Sequence, residues 1–158
     1  RRGEVEFTMV SAESLFLYLY DMYVINKSMK IYFNYDDGMV RAEANLIKSV
    51  LMNLLDNAFK ASEADGLIEV YGHLMKDGYR FEVKDHGVGI PKEELHKITK
   101  AFYMVDKSRS RSRNGAGLGL ALCAEILELH KSRLNIRSEL GKGTTMSFTL
   151  PLWKEDQL

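Results

Sequence analysis

The sequence predicts an α+β fold, a two-layer α/β sandwich in which a mixed, mostly antiparallel sheet packs on about three helices. The strongest helical pattern runs from about 43 to 62, where apolar residues recur at helical spacing. Two hairpins are predicted because polar and apolar residues alternate on either side of short turns at Lys76–Gly78 and Gly141–Gly143. Hairpins supply antiparallel strands, and the amphipathic helix needs an apolar surface to cover, so these segments together favour a sheet with helices packed against it.

The remaining segments carry weaker patterns, which are interpreted from caps, turns and alternation. In chain order the further predicted elements are a strand over about 4–10, a helix from the capping residue Ser11 to about Asn26, a strand over 30–35 closed by a turn at 36–38, a short helix with Pro91 in its first turn, an aperiodic loop over 106–114 and a helix from there to about His130.

Composition limits the classes of protein to which the chain can belong. The 158 residues are 46% hydrophobic with no shift at which to divide them, so one domain over 1–158 is predicted. The 22 basic and 22 acidic residues balance, which gives no support for nucleic acid or an anionic membrane as a partner. The single cysteine, Cys123, excludes a disulfide framework and fits a reducing cytosol.

No apolar run approaches the roughly 18 residues of a membrane span, and we expect no signal peptide. We therefore expect a cytoplasmic domain with no direct membrane contact. The chain begins at Arg1 rather than methionine, so it is expected to be a piece of a longer protein.

Three glycines, Gly115, Gly117 and Gly119, lie within five residues at the start of the last predicted helix. The spacing differs from the GxGxxG dinucleotide fingerprint, and no Lys-Ser/Thr pair follows as in a Walker loop. A helix N-terminus is an anion site, and glycine lets phosphate oxygens reach its amides. On these residues alone, a phosphate site and a flexible loop remain alternatives.

Two amides and an ammonium share one face of the strongest helix. Asn53 and Asn57 are four residues apart and Lys60 follows three later, while Leu54, Leu55 and Ala58 point inward. Amide oxygens are suitable ligands for Mg²⁺, which also keeps waters and phosphate oxygens around it. The alternative is a pair of solvated or core-satisfied asparagines.

Asp85 ends a predicted strand, and Gly87 and Gly89 allow a ligand to lie against the backbone that follows. An ionised carboxylate only accepts hydrogen bonds, so it would pair with the amine of adenine and repel the carbonyl of guanine. Such a site selects ATP over GTP. A plain turn uses the same residue types and remains the alternative.

The aperiodic loop carries four cations, Lys107, Arg109, Arg111 and Arg113. Arginine forms charge-assisted hydrogen bonds with phosphates, so this loop could close over a triphosphate. A solvated loop and a short RNA-binding Ser-Arg tract are the alternatives.

These segments, in this order, resemble the ATP-binding catalytic domain of sensor histidine kinases, in a superfamily with gyrase, Hsp-type chaperones and mismatch-repair ATPases. The resemblance covers nearly the whole chain and implies a Bergerat-type fold that holds ATP between the N-box helix and a lid. It rests on five motifs, which are NLLDNAFK as the N box, DHGVGIP as the G1 box, AFYMVDKSRSR as the F box, NGAGLGLAL as the G2 box and GKGTT as the G3 element.

The resemblance implies that Asn57 ligates Mg²⁺, that Asn53 and Lys60 serve the phosphates, and that Asp85 binds the adenine amine. The implied catalytic residues are Asn53, Asn57, Lys60 and Arg109. Phe102 would pack the lid, and Thr144 or Thr145 would touch the base directly or through water. The implied nucleotide site also includes Gly87, Gly89, Ile90, Tyr103, Lys107, Arg111, Gly115, Ala116, Gly117, Leu118, Gly119 and Leu120.

The sequence departs from the family pattern at three places. Ala61 stands where an aromatic residue is usual, Ala101 where proline is common, and Lys131–Ser132 where Gly-Gly is frequent. The first two concern adenine stacking and the lid. None of the three touches the phosphate chemistry.

Within this resemblance, Asn53 favours a kinase over a hydrolase. The hydrolytic relatives carry at this position a glutamate that activates water, and an amide cannot take that proton. Phosphoryl transfer needs mainly metal, alignment and charge stabilisation. None of the four histidines, His73, His86, His96 and His130, lies in a pattern that resembles an acceptor helix, so the acceptor is expected elsewhere.

The resemblance thus implies transfer of the γ-phosphate of Mg-ATP to a histidine on a separate dimerisation and phosphoacceptor domain of the same protein, and onward to the receiver domain of a response regulator. The parent kinase is expected to be a homodimer, and its membrane anchoring is left open. The alternatives are a serine kinase of the anti-sigma type, a conformational ATPase, and a degenerate nucleotide-binding module that only regulates a partner.

Overall fold

A computed structural model describes residues 4–104 and 116–155, and within them the side chains of all but 99–104 and 116–118. The strands are β1 (Thr8–Ser11), β2 (Ile31–Tyr35), β3 (Met39–Ala42), β4 (Ile68–Met75), β5 (Gly78–Asp85), β6 (Asn135–Glu139) and β7 (Gly143–Leu150). The α-helices are α1 (Ala12–Leu19), α2 (Ala44–Ala61), α3 (Lys92–Met104) and α4 (Ala116–Leu129), and a π-helical segment, Tyr20–Ile25, extends α1.

The main sheet has five strands in the order β2-β4-β5-β7-β6. Only the β2–β4 pair is parallel, and the other three pairs are antiparallel. Alternate residues such as Val70, Phe81 and Phe148 are buried in one core cluster with apolar side chains of α1, α2 and α4. The predicted α+β fold with a mixed, mostly antiparallel sheet is confirmed, and the described residues form four α-helices where about three were expected.

Helix α2 forms where the apolar periodicity predicts it. Its first turn is capped by Glu43, whose Oε2 accepts the N–H of Leu46 at 2.7 Å. Beyond the helix, Ser62 has an extended backbone. Of the seven apolar residues whose spacing predicts the helix, Leu46 is half-buried, and the other six are buried, namely Ile47, Val50, Leu51, Leu54, Leu55 and Ala58. Burial of these side chains fixes the rotation of α2 about its axis.

The N-terminal region differs from the prediction in detail. Ser11 caps α1 as expected, but β1 begins at Thr8, and the last turns before Asn26 are π-helical, with Asn26 N–H bonded to the carbonyl of Asp21. The short strand β3 was not predicted. It pairs with β1 in antiparallel register, Thr8 opposite Ala42. Four residues are too few for alternation to reveal a strand whose partner lies far away in the chain.

The two predicted hairpins are confirmed as β4–β5 and β6–β7. Helix α3 begins at Lys92, directly after Pro91, and is longer than the short helix that was predicted. Helix α4 ends at Leu129, close to the predicted end.

Lys131 occupies the left-handed position that closes α4. Its φ is 58°, the N–H of Ser132 bonds to the carbonyl of Leu127, and its own N–H bonds to the carbonyl of Glu128. This is a Schellman motif, in which the left-handed residue is usually glycine because a Cβ is strained there.

We expect Lys131→Gly to raise the free energy of unfolding by about 0.5–1 kcal/mol, because relief of left-handed strain outweighs the added freedom of the unfolded chain. Denaturant unfolding measures the change. The control, Glu128→Gly in the same helix, should lower the free energy by about 1 kcal/mol. A loss of stability in both variants would contradict the assignment.

Candidate functional site

Asp85 is the last residue of β5 and is buried. Its Oδ1 accepts two backbone N–H groups, from Gly87 at 2.9 Å and from Thr144 at 3.2 Å. Its Oδ2 accepts no hydrogen bond from the described residues. The carboxylate is therefore held in place through one oxygen, while the other keeps its acceptor capacity.

The loop after Asp85 lies against the end of α2. The N–H of Val88 bonds to the carbonyl of Ala61 at 3.2 Å. A Cβ added at Gly87 would stand 2.0 Å from that same carbonyl oxygen. Glycine is thus required for the loop to come this close to the helix.

The same loop is also tied to the β6–β7 hairpin. The N–H of Gly141 bonds to the carbonyl of Val88 at 2.7 Å, and a Cβ at Gly89 would stand 2.1 Å from the carbonyl oxygen of Glu139. Gly89 has a φ of +74°, which adds a second reason for glycine. The loop is held between α2 and the hairpin.

Hydroxyl groups extend this network beside Asp85. Thr144 is buried, and its Oγ1 lies 2.8 Å from Oγ of Ser138. Ser138 in turn accepts the N–H of Ile90 at 2.8 Å. Ser138 was not predicted, because a serine in an alternating strand carries no signal of its own. Thr145 follows Thr144 along β7, and successive strand residues face opposite ways, so Thr145 is not brought to this site.

Asn53 stands where α4 begins. Its Nδ2 donates to the carbonyl of Ser49 at 3.0 Å, which orients the amide. A Cβ at Gly119 would lie 3.0 Å from Oδ1 of Asn53, so the glycine-rich start of α4 lies directly against α2. Leu120, the next residue, is buried in the core instead.

Asn57 is half-buried one turn further along α2. Its Nδ2 is buried and has no hydrogen-bond partner in the part of the chain whose side chains the structure describes. A buried donor left unpaired costs about 1–3 kcal/mol, so this NH₂ group is suited to an acceptor that the described residues do not supply. Lys60, in the next turn, is exposed.

Several predicted site residues are not described here. Lys107, Arg109, Arg111 and Gly115 lie outside the described residues. A further five lie in helical backbone whose side chains are not described, namely Phe102 and Tyr103 near the end of α3 and Ala116, Gly117 and Leu118 at the start of α4.

The residue after Asp85 takes part in a second cluster, on the sheet face opposite the helices. Nε2 of His86 lies 2.5 Å from one oxygen of Glu69, and the hydroxyl of Tyr71 donates to the other. The Tyr71 bond, followed by the His86 bond, lowers the pKa of Glu69, and the carboxylate raises the pKa of Tyr71 to about 12. The cluster holds the loop to β4, and no sequence motif indicated it.

A comparison with protein-family models matches residues 42–154 to the histidine kinase-, DNA gyrase B- and HSP90-like ATPases. The chain belongs to this family. Within the family it is an ATP-binding catalytic domain of the histidine kinase type, which agrees with the resemblance carried by the five motifs.

Curated relatives of the domain are sensor kinases. Sensor histidine kinase WalK of Bacillus subtilis is 39% identical over 123 residues, which are 77% of this chain and 20% of WalK. Adaptive-response sensory kinase SasA of Synechococcus elongatus is 37% identical over 114 residues, 72% of this chain and 29% of SasA. The chain therefore spans less than a third of the length of either relative.

Solved structures share the fold. The catalytic domain of histidine kinase ThkA superposes with a TM-score of 0.74 at 27% identity, covering 94% of this chain and 97% of that catalytic domain. Full-length ShkA in complex with AMPPNP superposes with a TM-score of 0.73 at 24% identity, covering 94% of this chain and 32% of ShkA.

Of the helices that the structure describes, none has the length and apolar character needed to cross a membrane.

We expect Gly87→Ala to lower the free energy of unfolding by about 2–3 kcal/mol, because the new methyl group meets a backbone oxygen that cannot move aside. Gly141→Ala is the matched control, since its φ is +83° but open space surrounds its Cβ. The control should cost only about 1 kcal/mol. Denaturant unfolding measures both losses of unfolding free energy, and equal losses in the two variants would contradict the close approach of Gly87 to the Ala61 carbonyl.

Proposed function

We propose that this domain binds Mg-ATP and transfers the γ-phosphate to a histidine on a separate dimerisation and phosphoacceptor domain of the same protein. The observation that carries the proposal is the alignment of three features along α2. The start of α4 lies at Asn53, the unpaired amide at Asn57, and the Asp85 loop at Ala61. Eight residues of helix span about 12 Å, so these features lie side by side.

The Asp85 end of this row suits a purine amine. Oδ2 of Asp85 is an acceptor without a partner among the described residues, and its position is set by the bonds that Oδ1 accepts from Gly87 and Thr144. The exocyclic amine of adenine donates to such an oxygen, whereas the carbonyl of guanine is repelled. The hydroxyls of Thr144 and Ser138, which are bonded to each other, belong to the network around Asp85 and offer further polar contacts.

The Asn53 end suits phosphates. Lys60 supplies positive charge, Asn53 is oriented toward the start of α4, and a helix N-terminus attracts anions. Asn57 would hold Mg²⁺ through its amide oxygen, since the donors here are the hard oxygen and phosphate groups that Mg²⁺ prefers. A Mg²⁺ ion held there would supply positive charge that offsets the charge of the phosphates.

The residues also favour transfer over hydrolysis. Asn53 cannot act as a base toward water, so the domain positions the triphosphate without activating a competing nucleophile. His130 is buried, and none of the four histidines lies in an acceptor pattern, which supports an acceptor on another domain. A response-regulator receiver domain would take the phosphate from that histidine, in a homodimeric parent kinase whose catalytic domain faces the cytoplasm.

We expect Asp85→Asn to weaken ATP binding at least tenfold, which corresponds to about 1.4 kcal/mol. The amide oxygen can still accept both backbone N–H groups, but an NH₂ group then faces the adenine amine. Isothermal titration of the domain with Mg-ATP measures the change, and Asp77→Asn in the β4–β5 turn is the control. Unchanged ATP affinity in Asp85→Asn would contradict the proposal that Asp85 binds the adenine amine.

Asn57→Asp should abolish phosphotransfer to an acceptor domain while the fold survives, because a carboxylate beside the phosphates alters the charge and donor set around Mg²⁺. Transfer is measured with labelled ATP and a phosphoacceptor domain from the parent protein. The matched control is Asn45→Asp, near the start of the same helix, which should keep full transfer. Retained transfer in Asn57→Asp would contradict its role at the metal.

A further inference from the structure

Helices α2 and α4 pack antiparallel, and three contacts define how they are aligned. Gly119 lies against Asn53, the thiol of Cys123 contacts the carbonyl of Val50 at 3.9 Å, and His130 meets the N–H of Glu43. Residues later in α4 thus contact residues earlier in α2. The start of α4 is thus at the candidate phosphate site, and its end is at the N-cap of α2.

His130 lies at the far end of the seam between α2 and α4 and makes two hydrogen bonds there. Its side chain is 2% exposed. Nδ1 lies 2.8 Å from the carbonyl of Ile126, and Nε2 lies 3.1 Å from the backbone nitrogen of Glu43. A carbonyl can only accept and an N–H can only donate, so the ring carries its proton on Nδ1 and accepts at Nε2. Only the neutral ring can make both bonds.

We propose that His130 is a positioning residue for the nucleotide site, where its neutral ring clamps the end of α4 to the start of α2 and sets the alignment of Gly119 with Asn53. This inference rests on the proposed ATP-binding function. Neither the phosphate chemistry nor the five motifs assign a role to this histidine.

The physical basis is the stiffness of a helix along its axis. A displacement of the end of α4 along α2 moves its glycine-rich start by the same amount. One residue of helix rises about 1.5 Å, and errors of about 1 Å in a reacting site cost much of its efficiency. Gly119 and Cys123 contact α2 without a strong directional bond, whereas the hydrogen bond of His130 to the Glu43 N–H fixes direction as well as distance.

The surroundings of the ring favour its neutral form. Burial lowers the pKa of His130, and the nearby guanidinium of Arg41 on β3 lowers it too, while the Ile126 carbonyl and the Glu43 carboxylate oppose them. The ring of Phe7 meets His130 edge-on at 5.0 Å, and Arg41 lies over Phe7. Because the folded pKa is depressed, the stabilisation by the clamp is complete above about pH 6.5 and is lost as the pH falls through the folded value.

The test compares ATP affinity in three variants by isothermal titration at pH 7.5. His130→Phe keeps the ring shape but removes both bonds, and His130→Gln keeps an acceptor for the Glu43 N–H. The control, Tyr79→Phe, removes a buried hydroxyl bond to the carbonyl of Asp36, away from the seam. We expect His130→Phe to lose about five- to tenfold in affinity, the equivalent of one hydrogen bond, and His130→Gln to stay within about twofold of the unmodified chain.

A merely structural role would weaken binding equally in His130→Phe and Tyr79→Phe when both are folded, and that result would overturn the proposal. The ratio of ATP affinities between the unmodified chain and His130→Phe should narrow as the pH falls through the folded pKa of His130, which an NMR titration locates. A ratio that stays constant through that pKa would also count against the proposal. If His130→Phe does not fold, nitrogen NMR of the unmodified chain decides, since a proton on Nε2 contradicts the clamp. Failure of the unmodified chain to bind ATP would instead overturn the proposed function.

Discussion

The rotation of helix α2 is the constraint on which the candidate site depends. Five valine, leucine and isoleucine side chains of this helix are buried in the core, and each contributes about 1.5–3 kcal/mol when removed from water, while the smaller Ala58 adds less. The sum exceeds the cost of about 1–3 kcal/mol for leaving one amide unpaired. The core therefore dictates which way α2 faces, and Asn53, Asn57 and Lys60 are carried to the opposite side whether or not a ligand is bound.

Close backbone approach then brings the second half of the site to this helix. The loop after Asp85 contacts Ala61 through a position where only glycine fits, and Gly143 is equally confined, since its Cβ would stand 2.2 Å from the carbonyl oxygen of Asp85. These approaches put the backbone N–H of Thr144 within reach of the Asp85 carboxylate. The orientation of one acceptor oxygen thus follows from two glycines rather than from any side chain that recognises a ligand.

Local patterns were sufficient to predict α2, both hairpins and the place of Asp85 at a strand end, because each depends on residues close together in the chain. The strand β3, the Ser138 hydroxyl and the His86–Glu69 pair could not be predicted, because their partners are distant in sequence and no motif marks them. The five motifs predicted which residues would serve a nucleotide. They did not distinguish Thr144 from Thr145, which required the register of β7 against β5.

The unpaired amide of Asn57 links the stability of the domain to its function. An asparagine in the middle of a helix is a mediocre helix former, and burial of its nitrogen without a partner in the described residues adds a further cost. An apolar residue at position 57 would make the domain more stable, so stability alone does not account for Asn57. A ligand that accepts a hydrogen bond from this amide binds the folded state only. Its binding free energy therefore includes a contribution that offsets the cost of the unpaired amide to folding.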